Sequence, residues 1–113
     1  MIDGIINLDT DFAKEIGFTS DRFMAGISYL WKSGNRIIIS AIESKQEGKG
    51  YFRNLLENIE KRGYEIAVPT PFARMKDICL RNGFEERIEW FEGADDYGEI
   101  LVKPAKEKTK FPT

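Results

Sequence analysis

The sequence predicts one α/β domain: a mixed, mostly antiparallel sheet with a single parallel βαβ unit. Three observations carry this. Residues 36–44 (RIIISAIES) are rich in β-branched residues and apolar on both faces, as a strand covered on two sides is. Residues 50–62 follow, with Tyr51, Phe52, Leu55, Leu56 and Ile59 on one helical stripe. Residues 64–69 (YEIAVP) then resume a strand. A strand, a helix and a second strand in that order make a right-handed crossover between parallel neighbours.

The flanking elements explain the antiparallel remainder. Ile5, Ile6 and Leu8 suit a short strand, and Asp9 or Thr10 can cap a helix that runs to Ile16 and stops at Gly17. Phe23, Ala25, Ile27, Tyr29 and Trp31 alternate with Met24, Gly26, Ser28 and Leu30, which predicts a strand over 23–31. Ser33-Gly34-Asn35 turns it back into the 36–44 strand as a hairpin. Beyond Pro69-Thr70-Pro71, a helix over 72–82 carries a stripe of Phe72, Met75, Ile78 and Cys79 and ends at Gly83. Phe84 to Phe91 alternates, Gly93–Asp96 turns, and Tyr97–Lys103 is the last strand. Residues 1–103 are expected to be the single domain, and 104–113 (PAKEKTKFPT) a flexible tail.

Composition narrows the function classes. At 113 residues the chain can bury about two-thirds of its unfolded surface without a staple. A single cysteine, Cys79, allows no internal disulfide, which fits a reducing compartment. The absence of histidine removes the commonest zinc ligand and the commonest general base, so no metal site is expected. A net charge of -2 does not suit a nucleic-acid binder. No apolar run approaches the roughly 20 residues of a membrane span. Met1–Gly4 begins no basic-then-apolar leader, and a cytoplasmic location is expected.

The chemistry centres on residues 45–50 (KQEGKG), between the central strand and its helix. A helix N-terminus presents unpaired N–H groups at the positive end of its dipole, and glycines let a phosphate come close. Gly48 and Gly50 stand there, with Lys49 adding charge. The pattern also fits a plain turn. Neither the G-x-x-x-x-G-K-[ST] loop nor the G-x-G-x-x-G loop is present, which argues against a nucleotide triphosphatase and a dinucleotide fold.

The segment SAIESKQEGKGYFRNLLENIEKRGY followed by VPTPFARMKDICLRNGFEE resembles the GNAT superfamily of acyl-CoA-dependent N-acyltransferases. Those proteins have a strand ending in a Q/R-x-x-G-x-G/A loop and a helix opening on a Leu-Leu-like pair. A parallel strand follows, then a helix closed by Gly-Phe. The resemblance covers residues 23–103 and includes Leu55-Leu56 and Gly83-Phe84. With Leu55-Leu56 on the family's leucine pair, Gly50 takes the central glycine, Glu47 the Gln/Arg position and Phe52 the Gly/Ala position. A second register starts at Lys45, puts Gly48 in the centre and Gly50 last, but sets Arg53 where the helix needs an apolar residue.

The resemblance implies acetyl-CoA as acyl donor and an amine-bearing acceptor. Pantetheine would lie beside Ile42, Glu43 and Ser44, and the diphosphate around Glu47, Gly48, Lys49, Gly50, Tyr51 and Phe52. Two positions depart from the family. Cys79 stands where many members carry the tyrosine that protonates the leaving thiolate, and Phe72 where many carry an asparagine. Glu43, near the end of the central strand, is the candidate base, and Cys79 the candidate proton donor. Each also has a plainer reading, as a solvated carboxylate and as a small core residue. Trp31, Trp90 and Phe91 suit either core or an acceptor pocket. Two functions follow: an acetyl-CoA-dependent N-acetyltransferase, or a degenerate GNAT-like binding or regulatory module of bacterial or phage origin.

Overall fold

The computed structural model describes residues 3–69 and 73–105. The chain runs β1 (Gly4–Ile6), α1 (Asp11–Ile16), β2 (Tyr29–Ser33), β3 (Arg36–Ala41), α2 (Tyr51–Lys61), β4 (Glu65–Pro69), α3 (Ala73–Arg81), β5 (Glu85–Phe91) and β6 (Asp96–Lys103). The strands form one six-stranded sheet in the order β1-β2-β3-β4-β6-β5. Only β3 and β4 are parallel; the other neighbours are antiparallel. The mixed sheet and its single βαβ unit are as the sequence predicts.

One face of the sheet builds the core. Leu30, Ile37, Ile39, Ile66, Val68 and Leu101 pack with Ala13 and Ile16 of α1, with Leu55, Leu56 and Ile59 of α2, and with Cys79 of α3. The helices are also held by charge. Lys103 on β6 reaches Glu60 of α2 at 2.8 Å, and Lys76 of α3 reaches Glu86 and Glu99 at 3.1 Å each. Lys32 enters this face beside Ile37 because its ammonium meets Asp3 at 3.1 Å and lies 5.8 Å from the centre of the Tyr64 ring. The opposite face has a smaller cluster of Ala67, Ile100 and Val102, with Ile38 and Phe91 packed against it. There Arg36 is shared between Glu65 at 2.6 Å and a two-toothed contact with Glu89 at 2.8 and 3.1 Å. That geometry pins β5 to β3 across the sheet.

One element differs from expectation. The strand expected over 23–31 is a strand only at Tyr29–Ser33, and Phe23 makes a single bridge, to Ser44. Gly26 at φ 85 takes a left-handed conformation that a continuous strand cannot hold. The phase also differs: Leu30 and Lys32 are buried, whereas Ile27, Tyr29 and Trp31 are exposed. The strand expected over 36–44 ends at Ala41. The helix expected over 50–62 spans Tyr51–Lys61, and the strand expected over 64–69 spans Glu65–Pro69. Phe72 and most of the expected tail fall outside the described residues.

Gly98 faces Phe91, and a β-carbon there would run into the Phe91 ring. Gly98→Ala is expected to cost about 1–3 kcal/mol by overpacking, measured by chemical denaturation. In a Phe91→Ala background the same change should cost much less.

Candidate functional site

The site begins where β3 and β4 part. They pair from Arg36–Glu65 to Ile38–Ala67 and no further. Past that point β4 stays on β6, up to Pro69–Ile100, while β3 stays on β2, up to Ala41–Tyr29. The β2–β3 register slips between Leu30–Ile39 and Tyr29–Ala41, leaving Ser40 as an extra residue. A bulge of this kind bends the strand that carries it. The chain beyond is then held on the β2 side: Met24 N–H donates to Glu43 O at 2.8 Å, Lys45 N–H to Arg22 O at 2.7 Å, and Glu43 N–H to Ser28 Oγ at 3.1 Å.

Beyond the point where β3 ends there is a cleft of about 710 Å³. It is lined by Ile42, Glu43 and Ser44 just past β3, and by Met75 and Ile78 of α3 with Asn82 just beyond it. Its floor is the core itself, because Ile42, Tyr51, Phe52 and Met75 both line the cleft and pack against the buried cluster. One end is closed by the 45–50 loop and the first turn of α2.

That end is shaped for an anion. Gly50 is the N-cap of α2, left-handed at φ 75, and no side chain caps the helix. Gly48 is left-handed at φ 80, and a β-carbon at either glycine would meet nothing within 4 Å. The first-turn amides of α2 therefore have no capping side chain. Arg53, Arg74 and Arg81 line the same cleft. Arg74 pairs with Glu47 at 2.7 Å, which holds the Glu47 carboxyl below its ordinary value and the Arg74 guanidinium above its own.

Eight of the ten expected residues line the cleft: Ile42, Glu43, Ser44, Glu47, Gly48, Gly50, Tyr51 and Phe52. Lys49 does not, and its side chain adds nothing to the walls. Cys79 lies on the core side of α3, fully buried, with its thiol pushed up to about 11 by burial. Trp31 and Trp90 are 44% and 48% exposed, so the core reading does not hold for them, and neither lines this cleft. Phe91 packs on the far face. Arg53 is exposed on the cleft wall, while Leu55 and Leu56 are buried. Sequence reasoning missed Arg53, Arg74, Arg81 and Asn82. For Arg53 and Arg74 a signal existed, since each is a cation in the first turn of a helix, against the dipole.

Among the described residues no three acidic or cysteine side chains are placed to hold a metal ion, and no helix is long and apolar enough to cross a membrane.

No family model matches the sequence, and no curated protein matches it. The fold is similar to the crystal structure of the ribosomal-protein-S18-alanine N-acetyltransferase from Escherichia coli. The two share 15% identity at a TM-score of 0.52, over 96% of this chain and 97% of the other. The fold is thus GNAT-like.

Cys79 gives the test of this geometry. Cys79→Ser places a hydroxyl without a partner in the core and is expected to cost about 1–3 kcal/mol of stability by chemical denaturation. A thiol reagent should label the wild type only as it unfolds.

Proposed function

We propose that this protein binds an acyl-CoA, acetyl-CoA first, between β3 and β4, and transfers the acetyl group to an amine. The observation that carries this is the parting of the two parallel strands beside an uncapped, glycine-flanked helix N-terminus. An extended pantetheine arm would run along Ile42–Ser44 on the edge opposite the one held by residues 22–28. Its diphosphate finds the first-turn amides of α2, beyond Gly48 and Gly50.

The chemistry then falls to few groups. The amine nitrogen attacks the thioester carbonyl, a C–N bond forms, and the C–S bond breaks. Glu43, exposed on the cleft wall, accepts the proton that the amine loses, directly or through one water. The departing thiolate needs a proton in return. Cys79 is walled off in the core, so the hydroxyl groups at hand are those of Ser44 and Tyr51. The acceptor class includes a peptide N-terminus, a lysine side chain and a small amine; the similar E. coli enzyme is titled for an alanine of ribosomal protein S18. A cytoplasmic location fits the free thiol and the CoA donor.

A second reading, a module that binds acyl-CoA without turning it over, is favoured by the burial of Cys79 at the family's proton-donor position. Both readings require CoA binding, and only the first requires free CoA to appear when an amine is added.

Acetyl-CoA at a hundredfold excess over its Kd should add about 2.7 kcal/mol of stability. For a domain of this size that is a rise in Tm on the order of 10 °C. A thermal melt with and without millimolar acetyl-CoA measures it, and an unchanged Tm contradicts the assignment.

A further inference from the structure

The cleft carries positive charge where helix stability does not ask for it. Arg53 stands in the first turn of α2 and Arg74 in the first turn of α3, and neither turn has an acid. A first turn favours an acid, as Asp11 in α1 illustrates. The partner of Arg74 comes instead from across the cleft. Glu47, on the loop before α2, meets it at 2.7 Å with both side chains about 70% exposed, at 70% and 72%. So exposed a pair adds little to stability. It does join the two walls at the end where the uncapped amides of α2 lie.

The geometry points to Arg74 as a phosphate-binding side chain for the donor, with Glu47 as the anion that holds its place in the free protein. This assignment rests on the acyl-CoA reading of the cleft. A guanidinium takes two oxygens of a carboxylate or of a phosphate in the same planar fork, so one ligand can replace the other without rebuilding the site. Donor binding exchanges Glu47 for phosphate on Arg74, and the Glu47 carboxylate turns out to water. Glu47 is therefore a competitor of the donor. This accounts for an acid at the position where the resemblance calls for Gln or Arg: the cation has moved to α3, and the loop carries its counter-ion.

Titration calorimetry with CoA on the wild type, Arg74→Gln, Glu47→Gln and the double variant tests the exchange, with S-acetylpantetheine, which lacks the nucleotide and its phosphates, followed by amide NMR as control. Arg74→Gln should weaken CoA about tenfold or more, as loss of one charge-assisted pair does. Glu47→Gln should tighten CoA several-fold, and this gain should vanish when Arg74 is also changed. Both effects should shrink with added salt. S-acetylpantetheine should bind all four proteins within about twofold. If the wild type binds CoA and Arg74→Gln leaves the affinity unchanged, the assignment is wrong while the cleft reading stands. It is equally wrong if Glu47→Gln weakens CoA, or if S-acetylpantetheine loses as much as CoA. A wild type that binds no CoA overturns the cleft reading and this assignment together.

Discussion

A β-strand has two edges, and β3 gives one of them up. For three residues, Arg36 to Ile38, it satisfies both β2 and β4. Beyond Ile38 it stays with β2 alone. The bulge at Ser40 bends it, and hydrogen bonds from Met24 N–H to Glu43 O, from Lys45 N–H to Arg22 O and from Glu43 N–H to Ser28 Oγ tie the continuing chain to the β2 side. β4 cannot follow, because β6 pairs with it through Pro69. Two parallel strands anchored to opposite halves of one sheet must leave a wedge between them. The core face beneath is continuous, so the wedge has an apolar floor; α2 starts at its end, so it has a polar cap. Every feature of the candidate site descends from that division.

The segment before β2, which forms little regular structure, is what maintains the division. Phe23 is fully buried against Phe18 and Tyr51, with ring centres 5.6 and 6.4 Å away. Arg22 donates to Asn54 at 2.9 Å and lies over the Tyr51 ring, 5.3 Å from its centre. Residues 22–24 thus grip both the end of β3 and the first turns of α2.

The regular parts of this architecture were legible because their signals are local. Apolar runs, a helical stripe and glycine stops mark β3, α2, β4 and the order that makes the βαβ unit. Eight of the ten residues expected from the sequence line the cleft because they lie close together on the chain, in 42–52. The other wall was not legible. Met75 and Ile78 read as an ordinary helical stripe, and nothing in their spacing says that Cys79 faces the core while Arg74 faces the cleft. The strand expected over 23–31 failed for a related reason. Alternation there is real, but the left-handed Gly26 and the buried Phe23 and Leu30 belong to different pairings, decided by contacts with residues 39 and 44. Trp31 stays exposed on the face opposite the helices, beside Ile5, and Trp90 stays exposed on the helix side of β5, where it meets Tyr97 at a ring-centre distance of 5.1 Å.

The proposed seat of the acyl donor is the cleft that opens where β3 leaves β4, along Ile42–Ser44 and the start of α2. Amide NMR of the uniformly labelled protein, titrated with acetyl-CoA, tests it most directly. The largest shifts are expected at Ile42–Ser44, at Gly48–Arg53 and along Met75–Asn82, with β1 and the β5–β6 turn unmoved. Shifts that gather instead on the exposed face around Ile5 and Trp31, with the wedge silent, would contradict it.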